Sequence, residues 1–221
     1  MQRFDRAASG DLMWAGIVGP VLFVAVFLVD GAVRPGYDPV RLQVSYLSLG
    51  DRGAVQIANF IVTGLLLGAF AVGLRRRLAP AGVRGARGAP IAVGSIALGL
   101  LIAGVFSTAP AFGYPPGTPD GFPTSLPPTA YLHVVGALLF FGGMIATPAL
   151  MARRFRAQGE TAWTVYSVLT AVVVFVALAA SSADPSGQPY LPATVGLLQR
   201  VSIAAGLAWI AALAAFAPLD V

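Results

Sequence analysis

The chain has 221 residues, of which 57% are hydrophobic and only 10% are charged, and its formal net charge at pH 7 is +5. Soluble domains carry about 25% charged residues, so this composition excludes a soluble globular protein and indicates one built for lipid. The chain contains no Cys, which excludes disulfides, thiolate metal sites and cysteine nucleophiles.

Six apolar stretches follow one another along the chain, at residues 14–33, 54–74, 90–109, 130–151, 162–182 and 194–216. A bilayer core about 30 Å thick needs roughly 20 helical residues to span it. Lipid offers no hydrogen bonds to the backbone, so such stretches form helices. We therefore predict an all-α, polytopic membrane protein that is a bundle of six transmembrane helices. The short connections leave no length for a soluble domain, so residues 1–221 are predicted to form a single domain.

Arginine is the only basic residue, and it is distributed unevenly among the connections. Ten of the 14 arginines fall before the first span or in the second-to-third and fourth-to-fifth connections, namely at positions 3, 6, 75, 76, 77, 84, 87, 153, 154 and 156. Short loops rich in Arg stay in the cytoplasm, so both termini are predicted to be cytoplasmic. The composition is typical of a high-GC bacterial genome, which predicts the plasma membrane of a bacterium as the location. These basic loops are expected to contact anionic lipid head groups. No nucleic-acid partner is expected, because no binding fold or aromatic interleaving accompanies them.

The connections on the other side are less regular. In the first, Val40, Val44 and Leu47 recur at helical spacing, which predicts a short amphipathic helix at the membrane interface. The second, residues 110–129, is dominated by proline and glycine, which excludes regular structure. This segment is either a solvated connector or a cap over a site, with Phe112 and Tyr114 as the lid residues.

Small residues recur within the spans. The second contains the pair Gly64 and Gly68, and further glycines lie in the third and fourth spans, at positions 94, 99, 104, 136, 142 and 143. Glycine in a transmembrane helix lets two backbones approach closely. We therefore predict tight packing among the second, third and fourth helices.

Polar residues collect in the outer third of the predicted bundle. The candidate ligand-binding residues are Asp30, Arg34, Asn59, His133, Asp184, Gln199 and Arg200. Two interpretations stay open: these residues line an outward-facing polar pocket, or they lock the helix ends with structural ion pairs and amide bonds. An unpaired guanidinium inside a span is costly, so Arg200 is expected to pair with Asp30 or Asp184.

The residue set limits the chemistry. His133 is the single histidine, so a three-His zinc site cannot be built, and no metal or cofactor is expected. His133 could act as a general base toward Ser107, Ser181 or Ser182, although no motif supports such a dyad.

Several short elements carry a family resemblance. They are Gly19-Pro20, Arg34-Pro35-Gly36-Tyr37-Asp38-Pro39, Ser45-x-Leu47-Ser48, Asn59-Phe60 with Thr63-Gly64, His133, and Gly196-Leu197-Leu198-Gln199-Arg200. Over nearly the whole chain they resemble a prokaryotic six-helix membrane family known only as domain of unknown function 998. The resemblance implies the six-helix architecture and brings no activity with it. Relatives usually end the third span in a Phe-x-x-Asp-Pro element. This chain has Ala109 in place of the acid, so a role of that acid in relatives would be lost here.

Three functions are compatible with these observations. The first is binding of a lipid or small amphiphile in the outward-facing polar pocket by a protein that is not an enzyme. The second is a membrane-embedded enzyme that acts on an outer-leaflet substrate with His133 as base. The third is a structural partner protein with no ligand.

Overall fold

The computed structural model describes residues 12–79, 87–182, 193–217 and 219. Within these residues six helices are long and apolar enough to cross a membrane. They are α1 (Ala15–Val33), α2 (Gly53–Leu78), α3 (Gly88–Val105), α4 (Pro128–Ala157), α5 (Thr161–Ser182) and α6 (Val195–Phe216). No strand occurs in the described ranges. The prediction of an all-α protein with six transmembrane helices is confirmed, whereas the single domain stays a prediction.

The helix ends differ from the predicted spans where polar residues continue or stop a helix. The helices α2 and α4 run past the apolar stretch into their arginines, because basic side chains are favourable at a helix C-terminus. In contrast, α3 ends at Val105 and not at Ala109. Pro110 disfavours a helical conformation at the residue before it, so the chain leaves the helix early.

The six helices form a closed ring. Each helix packs against the next along the chain, and α6 returns to pack against α1. We call the end of the ring that carries residues 34–52 and 106–127 the loop end. The first of these connections contains a 3₁₀ helix, Val44–Ser48, which contacts α1, α2 and α6. A short helix was predicted near this position, but most of its side chains are buried, so it does not lie flat at the interface.

Glycines join α2, α3 and α4, as predicted. A Cβ added to Gly99 would lie 2.4 Å from the Gly136 carbonyl oxygen, so α3 and α4 meet backbone to backbone. A Cβ on Gly64 would lie 2.9 Å from Cγ of Leu101. The prediction of close packing is wrong for Gly94 and Gly142, where an added Cβ would meet no atom within 4 Å.

The half of the ring away from the loop end has a densely packed interior. The indole of Trp209 is fully buried there and donates a hydrogen bond to Ser167 Oγ at 3.1 Å. Phe70, Leu74 and Phe155 are also fully buried in this half. The other half of the ring holds the candidate site.

Candidate functional site

A cavity of about 590 Å³ occupies the ring at the loop end. All six helices contribute to its wall, from Phe23 on α1 to Ile203 on α6. Most of the wall is apolar and includes the aromatic rings of Phe60, Phe140 and Phe141. A concave, mainly apolar site with a few polar groups is the usual form of a small-molecule site, and its volume lies in the usual range.

The polar side chains of the described wall are all uncharged. They are Gln43, Ser45, Tyr46, Thr108, His133 and Gln199. All six lie on or near the loop end, so the cavity has a polar rim and an apolar body. Burial raises the pKa of Tyr46 to about 12, which keeps its hydroxyl protonated at neutral pH. The rim can therefore exchange hydrogen bonds with a ligand but offers it no countercharge.

His133 and Gln199 are two of the predicted site residues, and both line the cavity. His133 Nδ1 lies 2.8 Å from the carbonyl oxygen of Phe106, where α3 ends. A carbonyl only accepts, so Nδ1 carries the hydrogen, and in the neutral ring Nε2 is the acceptor. Gln199 Oε1 accepts the Val44 backbone N–H at 2.8 Å, which ties α6 to the 3₁₀ helix.

Asp30 and Arg34, also predicted site residues, form a buried ion pair. They lie one helical turn apart, and Arg34 Nη2 approaches Asp30 Oδ2 to 2.5 Å. Arg52, which is half exposed, approaches the second carboxylate oxygen to 3.2 Å. Arg34 also donates to the carbonyl of Leu49 at 2.9 Å and to the hydroxyl of Tyr114 at 3.3 Å. Its two Nη atoms thus bond to the chain's own residues and not to the cavity, while its Nε is buried without a hydrogen-bond partner.

Arg200 does not pair with Asp30, and that part of the expectation is wrong. Its Nη1 donates to the carbonyl oxygens of Pro39, Leu42 and Gly196 at 2.6, 2.9 and 3.0 Å. Its Nη2 donates to the hydroxyl of Tyr37 at 2.5 Å. The bent connection after α1 supplies enough carbonyl groups to replace an anion. The other expected partner, Asp184, lies outside the described residues.

Aromatic rings enclose this guanidinium. The Arg200 Cζ lies 5.8 Å from the ring centroid of Phe27 and 5.5 Å from that of Tyr37, within the range of cation–π attraction. Tyr37 in turn packs edge-on against Tyr114, with centroids 5.4 Å apart. We call Asp30, Arg34, Tyr37 and Arg200 the charged layer. None of these four residues belongs to the described wall of the cavity.

Asn59 belongs to a third group, buried between α1 and α2. Its amide donates to the Phe23 carbonyl at 3.2 Å and to Gln56 Oε1 at 3.2 Å. Asn59 Oδ1, Gln56 Nε2 and Thr63 Oγ1 are buried without hydrogen-bond partners. Asn59 therefore does not line the cavity, and its group holds two helices together away from it.

The proline-rich connection covers the loop end of the cavity. Thr108, Ala109, Phe122 and Leu126 from this connection line the cavity. Of the two predicted lid residues, Tyr114 is buried beside the charged layer, and Phe112 packs on Phe122 with ring centroids 6.0 Å apart. The connection thus contributes to the cavity wall, while many of its residues, Phe122 among them, are exposed to solvent. Both interpretations of this connection stay predictions.

One protein family matches the chain, and its description is "Protein of unknown function (DUF998)", over residues 17–215. The chain belongs to the DUF998 family. No curated protein and no solved structure is significantly similar to it. This DUF998 protein is thus a multi-pass membrane protein whose site has to be interpreted from its own geometry.

Sequence reasoning missed part of the cavity rim in this DUF998 protein. Gln43, Ser45, Tyr46 and Thr108 sit in connections, where a polar residue is ordinary and carries no signal. Tyr37 belongs to the Arg34–Pro39 element, where its sequence pattern gives no sign of a contact with Arg200. A search for buried partners of Arg200 among nearby hydroxyl groups, and not only among acids, could have found it.

Proposed function

We propose that this protein binds a lipid or a small amphiphile in the cavity at the loop end. The observation that carries the proposal is the cavity itself, which has an apolar body walled by all six helices and an uncharged polar rim. An amphiphile has the same two parts in the same order, a hydrocarbon chain and a hydrogen-bonding head.

The loop end is proposed to face the exterior of a bacterial plasma membrane, with both termini in the cytoplasm. The asymmetric distribution of arginine supports this orientation. Reporter fusions after Arg87 and after Arg156 should both report the cytoplasm, and a fusion after Asp120 should report the exterior. A periplasmic signal from the fusion at Arg87 would overturn the orientation.

Native mass spectrometry of the purified protein in mild detergent tests the binding. The wild type should retain an adduct of discrete mass. Ala137→Phe places a ring in the cavity wall and should remove the adduct. The matched control is Ala146→Phe, because Ala146 is half-buried on the same helix and is not part of the described wall. An adduct that survives equally in both variants would contradict binding in the cavity. The complete absence of an adduct would favour a structural protein without a ligand.

A second candidate is a membrane-embedded enzyme with His133 as the base. The observation that favours it is the tautomer of His133, because the hydrogen bond to Phe106 leaves Nε2 as a proton acceptor in the cavity wall. His133→Gln separates the two functions. Chemical conversion of the bound molecule that this variant abolishes would support an enzyme. An adduct of unchanged mass over time would support binding alone.

A further inference from the structure

The absence of charge in the described wall narrows the class of ligand. Arg34 and Arg200 are the buried cations of the described loop end, and their Nη atoms donate to carbonyl groups, to tyrosine or to Asp30. Arg41, two residues before Gln43, is half-buried and does not belong to the described wall. A carboxylate or phosphate in the cavity would therefore be desolvated without a countercharge, which is strongly unfavourable. A neutral head group with hydroxyl or amide groups would instead meet His133, Gln199, Tyr46 and Thr108 at the rim.

The volume of the cavity limits the number of chains. Small-molecule sites usually have volumes of about 300–1,000 Å³, and the 590 Å³ found here lies in the middle of that range. One hydrocarbon chain with a small head is a ligand of that class. A diacyl phospholipid is about twice as large, so we expect it to fit less well as a whole.

The cavity reaches the lipid-facing surface between α4 and α5. Leu138 on α4 and Phe175 on α5 both line the cavity, yet they are 69% and 58% exposed. Val134, one helical turn before Leu138, also lines the cavity and is also exposed. A side chain that is both in the cavity wall and exposed on a membrane-spanning helix lies at an opening toward the acyl chains.

At their ends away from the loop end, α4 and α5 are in contact with each other. Phe155 at the end of α4 stacks on Trp163 at the start of α5, with ring centroids 5.4 Å apart. Nearer the loop end, α5 is hydrogen-bonded to α6, because Ser202 Oγ on α6 donates to the carbonyl of Val174 on α5 at 3.1 Å. The space between α4 and α5 is thus a wedge that is closed by Phe155 and Trp163 and leads into the cavity near Leu138 and Phe175. We call it the lateral cleft.

We infer that the cavity takes up a neutral, single-chain amphiphile directly from the bilayer through the lateral cleft. This inference rests on the proposed function, and it adds the class of ligand and the route. A ligand that arrives from lipid needs no water-filled path through the proline-rich connection at the loop end.

The class of ligand is tested with two probes that share one chain. Monooleoylglycerol is neutral, and oleoyl lysophosphatidylglycerol carries a phosphate on the same oleoyl chain. Both are offered to the purified full-length protein, and occupancy is measured by native mass spectrometry. The neutral probe should bind at least about a hundredfold more tightly, because the cavity would desolvate the phosphate without a partner. Equal affinity for the two probes would overturn the neutral class.

The route is tested by a substitution in the lateral cleft. Gly142 lines the cavity and is exposed, and a side chain added there meets no atom within 4 Å, so Gly142→Trp should fill the cleft without disturbing the packing. Gly94→Trp is the matched control, because Gly94 also has open space around it but lies on α3 outside the described wall. Proteoliposomes are mixed with vesicles that contain monooleoylglycerol with a photoreactive chain, and adducts are counted after flashes at increasing times.

Uptake into Gly142→Trp should be about tenfold slower than into the wild type or Gly94→Trp, because a steric gate acts on the rate. Uptake at the wild-type rate would overturn the lateral route while leaving binding intact. No uptake of either probe by the wild type would instead contradict the proposed function.

Should Gly142→Trp fail to fold, the double variant Leu138→Ala and Phe175→Ala widens the cleft at two exposed positions. Its uptake should be faster than that of the wild type, and an unchanged rate would again overturn the route.

Discussion

Gln199 and Arg200 are consecutive residues of α6, yet they belong to two different regions of the molecule. Gln199 lines a cavity whose described polar groups are all neutral, and Arg200 belongs to the charged layer beside it. In the cavity, most polar side chains keep hydrogen-bonding capacity for a ligand. In the charged layer, nearly all N–H donors of the guanidinium groups are hydrogen-bonded to carbonyl groups, to tyrosine or to a carboxylate. A charge inside a membrane bundle can therefore have a structural role, while neutral polar residues form the candidate site.

Removal of a cation from the charged layer should have the largest effect on stability. Arg200→Leu leaves the carbonyls of Pro39 and Leu42 and the hydroxyl of Tyr37 without their charged donor. Each orphaned buried group costs about 1–3 kcal/mol, so we expect a total loss of about 4 kcal/mol in the free energy of unfolding. Thermal denaturation followed by size-exclusion chromatography measures the loss.

Arg153→Leu serves as the control for that experiment, because Arg153 is exposed at the opposite end of α4. It should change the melting temperature little. If Arg200→Leu were as stable as Arg153→Leu, the structural role of the charged layer would be wrong.

The ion pair of the charged layer gives the next largest effect. Asp30→Asn leaves the buried Arg34 guanidinium without its carboxylate and should cost about 3 kcal/mol of stability. The double variant Asp30→Asn and Arg34→Gln removes the isolated charge as well and should recover part of the loss. Denaturation of the two single variants and the double variant gives the coupling energy. Purely additive losses would contradict a direct pair.

Gln199→Glu places a charge at the rim of the cavity. The carboxylate keeps an oxygen for the Val44 N–H, but it is buried without a countercharge, so the free energy of unfolding should fall by about 2 kcal/mol. The charge now lies in a cavity suited to neutral groups, so binding of monooleoylglycerol should fall by about tenfold. Native mass spectrometry measures the occupancy. Unchanged binding would mean that Gln199 does not contact the ligand.

Tyr46→Phe should have the smallest effect at neutral pH. No hydrogen bond to the Tyr46 hydroxyl occurs among the described residues, so stability at pH 7 should change by less than about 0.5 kcal/mol. Burial raises the pKa of Tyr46 to about 12, above the usual value of 10. A group whose pKa is higher in the folded than in the unfolded protein contributes fully to the free energy of unfolding below its unfolded pKa. That contribution is lost as the pH rises through the folded pKa.

The wild type should therefore lose about 2 kcal/mol more than Tyr46→Phe between pH 10 and pH 12. Melting curves of the two proteins across this range measure the difference. Parallel curves would show that Tyr46 is accessible to solvent.

The helices could be predicted from the sequence because every apolar stretch that crosses the bilayer needs about the same length and has to form its own backbone hydrogen bonds, as a helix does. The tight contacts of Gly64, Gly99 and Gly136 could be predicted for a similar reason, since small residues mark close backbones. Gly94 and Gly142 carry the same signal and face open space, because residue type does not show which side of a helix faces a neighbour.

The site was only partly predictable. That polar groups collect at one end of the bundle followed from their depth, and His133 and Gln199 do meet in the cavity wall. The sequence could not show that Arg34 and Arg200 are satisfied by Leu49, Pro39 and Leu42, because backbone carbonyls are present at every residue and become acceptors only through the bend of the connection.

If the neutral cavity, and not the charged layer, holds an amphiphile, photo-crosslinking can locate it there. The probe is monooleoylglycerol that carries a diazirine in its chain, with an excess of unlabelled monooleoylglycerol as competitor and peptide mass spectrometry to locate the adducts. We expect competed adducts on cavity residues such as Phe141, Phe175 and Ile203, and only uncompeted adducts on exposed lipid-facing residues such as Val21, Leu65 and Ile91. Competed adducts confined to the outer surface of the ring, with none in the cavity wall, would contradict this expectation.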